Sequence, residues 1–116
     1  MPTTFSDVST AYTTTATKAT DAATLLTAEA AKIQITIDTL NNKAAELQQK
    51  ISETTNQSTS DTLSMTLNGM RNSIAEMQAM HDARVASAAA WTQCSTLFTL
   101  LSTYNPSTGS QGSQGV

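Results

Sequence analysis

The chain has 116 residues and a mass of 12.2 kDa, with 39% apolar and 4% aromatic residues and a formal net charge of −3. That length gives room for one domain, and the apolar content is lower than a self-sufficient globular core uses. The six basic residues (Lys18, Lys32, Lys43, Lys50, Arg71 and Arg84) stand singly among acids, which argues against nucleic acid and anionic lipid as partners, since both need clustered positive charge.

Residues 1–11 read as an N-terminal extension and helix start. Thr4 followed by Asp7 has capping-box spacing, and Ser6 is an alternative N-cap. The first twelve residues hold neither a basic stretch nor an apolar run. No Sec-type signal peptide is therefore expected, and the chain is expected in the cytoplasm or exported by a route that reads other signals.

Residues 12–54 read as the first helix. Steps of three and four residues pass through Tyr12, Ala16, Ala19, Ala23, Leu26, Ala30, Ile33, Ile37, Leu40, Ala44, Leu47 and Ile51 without meeting a strongly polar side chain. A 3.5-residue period held this long belongs to a helix lying along another helix. The early part, rich in Thr, offers only Ala on this seam. From Leu25 onward Leu and Ile take over, and Glu46–Lys50 has the spacing of a favourable i,i+4 pair.

Residues 55–60 read as a polar connection, with Ser60 or Asp61 as the next N-cap. Residues 61–104 read as the second helix. Its periodic run is Leu63, Leu67, Met70, Ile74, Met77 and His81, then Arg84 or Val85, Ala88, Trp91, Cys94 or Ser95, Phe98 and Leu101. Pro106 sets its end, because proline disfavours helix at the residue before it. The tail, residues 105–116, repeats Gly, Ser and Gln and is expected to be disordered. Two long helices of similar length around a short connection define an all-α fold: an antiparallel two-helix hairpin with coiled-coil packing. One seam buries little, so the core is expected to be completed by oligomerisation or by a partner's helices.

The last charged residue is Arg84. The uncharged, apolar part of the second helix, residues 85–104, carries Trp91, Leu97, Phe98, Leu100 and Leu101 on more than one face, and these five are the expected interface. The Ala-only part of the first seam is expected to take the Trp91 ring close to its backbone, and Phe98→Asp or Leu101→Asp to break association while sparing helix content. The segment has the length of a membrane span, but Gln93 and seven Ser or Thr residues dilute it, so burial against other helices is the first reading and membrane contact the lesser one.

Chemistry has little to work with. The single His81 and single Cys94 stand thirteen positions apart, about 20 Å along one helix, too far for a Cys–His catalytic pair. His81 and Asp82 are adjacent and expected to point apart. Glycine occurs only at position 69 and in the tail, so no phosphate-cradling loop exists. Catalytic residues, cofactors, metal ligands and a small-molecule substrate are accordingly not expected. A lone cysteine makes no intrachain disulfide and does not place the chain in a redox compartment. His81 on the seam reads as a polar residue setting register, with a pH-sensitive joint as the alternative. Met65, Met70, Met77 and Met80 read as core filler, with an adaptable binding face as the alternative.

The size and helix–turn–helix plan resemble the small WXG-type secreted hairpins of Gram-positive bacteria. The chain departs from them in having Trp91 deep in the second helix rather than in the turn, and Tyr104 leads into Asn-Pro-Ser-Thr. In its Ala, Thr, Ser and Gln content the chain is similar to helical filament and translocator proteins of type III secretion systems; this likeness is one of composition. The function expected is that of a non-enzymatic structural or protein-interaction hairpin that self-assembles or docks a partner helix. The alternative is a secretion-system component (filament, translocator or chaperone) using Val85–Tyr104 for client or membrane contact.

Overall fold

The computed structural model describes residues 4–104; the tail 105–116 lies outside them. Two helices make the fold, α1 (Phe5–Glu53) and α2 (Gln57–Thr103), packed against each other as an all-α helical hairpin. The start of α1 is closed by a reciprocal capping box. Asp7 N–H donates to Thr4 Oγ1 at 3.1 Å, and Thr4 N–H donates to Asp7 Oδ2 at 3.2 Å.

The connection is shorter than the polar run suggested. Thr54–Asn56 join the helices, and α2 begins four residues before the expected Asp61. The cap is Asn56 rather than Ser60 or Asp61: its Oδ1 accepts from Thr59 N–H at 3.0 Å, and asparagine is among the best N-caps. Gln57 Nε2 then donates to Asp61 Oδ1 at 2.7 Å, tying the first turn. Polar residues here build a helix start instead of breaking one.

The hairpin divides into two compact units. One is Thr27–Val85; the other is residues 4–26 with residues 86–104. In the first, Ala30, Ile37, Ala44 and Leu67 are buried, and Ile33, Leu40, Leu47, Ile51, Leu63, Met70, Ile74, Met77 and His81 are half-buried between the helices. Ile37 is 2% exposed, and hiding such a side chain contributes about 1.5–3 kcal/mol. At the end of this unit Arg84, not Val85, holds the seam position. Its Nε donates to Glu29 Oε1 at 3.2 Å, while its stem lies half-buried and Val85 faces solvent. A long stem with a polar tip can occupy a seam edge that a short valine does not need. The Glu46–Lys50 pair stays open.

In the second unit the seam is filled by small residues. Ala16, Ala19, Ala23 and Ala88 are buried, with Leu26 and Ser95 half-buried. The backbones come close enough for Ser9 Oγ to donate to Ser102 C=O at 2.6 Å, and Thr20 Oγ1 lies 2.6 Å from Ser95 Oγ. Tyr12 and Phe98 stack at 5.9 Å between centroids, tilted by 31°. In the Thr-rich stretch Thr13, Thr15 and Thr17 donate their hydroxyls to carbonyls four residues back, which satisfies the hydroxyls within the helix.

Candidate docking surface on the second helix

The heptad phase of α2 decides what Val85–Tyr104 can offer. Counting in sevens from Ile74 gives His81, Ala88, Ser95 and Ser102, all buried or half-buried. Leu101 was expected on the seam, yet Ser102 takes that place and Leu101 lies beside it. The cause is the close approach of the helices, which admits Ser, Ala and one aromatic pair but no row of large aliphatic groups. Of the five expected interface residues, Phe98 is half-buried against Tyr12. The other four are turned outward: Trp91 is 45% exposed, Leu97 59%, Leu100 62% and Leu101 43%. Trp91 therefore does not settle onto the Ala face as its spacing suggested. Replacing Phe98 with Asp would also strike the hairpin seam itself, so that variant does not isolate an outer contact.

Tyr104 joins the outward group at 46% exposure, held in the last turn by its N–H donating to Leu101 C=O at 3.2 Å. Phe5 and Val8 of α1, in the same unit, are exposed as well. The segment carries no ionisable side chain other than Cys94 and Tyr104, so this surface is apolar and electrically neutral. Thr92 and Thr96 donate to Ala88 C=O and Thr92 C=O at 2.9 and 3.1 Å, which pairs their hydroxyls within the helix.

Asp82, in the other unit, is held away from its ordinary ionisation. His81 Nδ1 sits 3.1 Å from Asp82 Oδ1, so the two adjacent side chains meet rather than point apart. Hydrogen bonds from His81 and then from Gln78, whose Nε2 donates at 3.0 Å, hold the Asp82 carboxyl below its ordinary value of 3.8. A depressed carboxyl stabilises the fold above the ordinary value, and that contribution is lost as pH falls through the lowered one. Among the described residues no three His, Cys, Asp or Glu side chains group as a metal site. Nor is any helix there long and apolar enough to cross a membrane.

Comparison with known proteins finds no similar one: no family model, curated protein or solved structure matches this chain.

Proposed function

We propose that this protein is a non-enzymatic interaction hairpin that docks another helix on the outer face of α2, between Val85 and Tyr104. The observation that carries this reading is the outward exposure of Trp91, Leu97, Leu100 and Leu101 on a stretch without charge. Large apolar side chains grouped this way cost solubility unless something covers them, and such patches mark interaction sites. A protein surface fits better than a lipid one, since no basic residue flanks the patch on its C-terminal side. The reading needs no cofactor, nucleic acid or small-molecule substrate.

Photo-cross-linking in the native host tests it. A photoreactive amino acid at position 97 should give a protein adduct, whereas the same group at the exposed position 39 of α1 should give none. Absence of an adduct from position 97, or equal adducts from both, would contradict the reading.

A further inference from the structure

The exposed face of α2 has its own period. Ser87, Ala90, the half-buried Cys94, Leu97, Leu101 and Tyr104 follow one another by three, four, three, four and three residues. That is the spacing of a coiled-coil seam, displaced around the helix from the one that meets α1. An extended peptide matches no such spacing; a second helix does.

The residues along this stripe are graded. Small ones (Ser87, Ala90, Cys94) stand first and large ones (Leu97, Leu101, Tyr104) last. Laid antiparallel on a copy of itself, with a two-fold axis between Cys94 and Leu97, the stripe brings Ser87 opposite Tyr104, Ala90 opposite Leu101 and Cys94 opposite Leu97. Every layer then pairs one small with one large side chain, the arrangement that fills a helix–helix interface without voids or overlap. A parallel pair would set Tyr104 against Tyr104 and Ser87 against Ser87, crowded at one end and empty at the other. The antiparallel pair is isologous and closes as a dimer.

Charge and area agree. Residues 85–104 bear no Asp, Glu, Lys, Arg or His, so two copies meet without like-charge repulsion. At roughly 150–250 Å² for a fully buried large side chain, Leu97, Leu101 and Tyr104 of the stripe expose on the order of 300 Å² per chain, and Trp91 and Leu100, which flank it, bring this to on the order of 500 Å². Two copies would hide on the order of 1,000 Å², the size at which a specific interface begins.

We infer that the occupant of the α2 face is a second copy of this chain, packed antiparallel in this register. The inference rests on the proposed reading of that face as a helix-docking surface and names its partner.

Disulfide trapping in the full-length chain tests both register and partner. In a Cys94→Ser background, Ala90→Cys and Leu101→Cys are made singly and together. The two sites stand eleven residues apart, about 16 Å along the helix, which excludes a bond within one chain. The double variant should oxidise to a covalent dimer and each single variant should stay monomeric under denaturing, non-reducing conditions. Light scattering on the unmodified protein should report twice the chain mass. Dimers trapped by Ala90→Cys alone would show parallel packing and overturn the register. A monomeric mass together with no trapped dimer would overturn the self-partner. If position 97 still forms an adduct with a different protein, the docking reading stands without it; if it forms none, both fall.

Discussion

The two units of the hairpin use one heptad and fill it differently. In Thr27–Val85, Ile37 and Leu67 are buried among other Leu, Ile and Met side chains. In the unit of residues 4–26 and 86–104, the buried positions are Ala16, Ala19, Ala23 and Ala88, joined by the Tyr12–Phe98 stack and two hydroxyl contacts. The first keeps most of its large apolar groups on the seam, with Ile35, Met65, Met80 and Val85 exposed, whereas the second closes with small residues and turns Trp91, Leu97, Leu100 and Leu101 outward. Apolar content thus says how much surface must be covered, and the phase of the heptad says by what.

Substitutions separate the two units by size of effect. The largest is expected in the first, where Ile37→Asp places an unpaired charge at a buried seam position. The loss is about 3–5 kcal/mol, read as loss of the cooperative transition in a urea melt. Next comes overpacking in the second unit. Ala19→Leu forces a large side chain into a seam closed by alanines, and a drop of about 1–3 kcal/mol is expected from the shift in thermal midpoint. Equal tolerance of Ala19→Leu and of a leucine at an exposed position would show that the close approach is absent.

Gly69→Ala works in the opposite direction. A Cβ at Gly69 meets nothing within 4 Å, and the residue sits inside α2 with ordinary helical backbone. Removing the entropic penalty of glycine should raise stability by about 1 kcal/mol, visible as a higher urea midpoint at unchanged slope. The smallest effect on folding is expected from Leu97→Asp, within about 0.5 kcal/mol in the isolated hairpin, because the side chain already faces water. A large loss in that variant would place Leu97 in the core.

Much of this fold was readable from residue order. All twelve seam residues from Tyr12 to Ile51 are buried or half-buried, because a 3.5-residue period of apolar groups has no other economical use. The connection was harder, since Gln57 to Ser60 have the composition of a loop, and only the strength of Asn56 as a cap tells where the helix resumes. The C-terminal half of α2 was hardest. Ala88 and Ser95 lie on its seam as the periodic run had them, but Ser102, which hydropathy does not distinguish from surface, replaces Leu101, and the conspicuous Trp91 stands beside the seam. The signal that could have found the phase was continuity: the sevenfold count from Ile74 passes through these residues without a break.

The most direct test of the division between an inner seam and an outer face is sedimentation equilibrium of the native chain and of Leu97→Asp, with far-UV circular dichroism on the same samples. The native chain should show twice the chain mass, and Leu97→Asp the mass of a single chain with the same helical signal. Equal masses for the two, or a variant that loses its helices, would contradict the account.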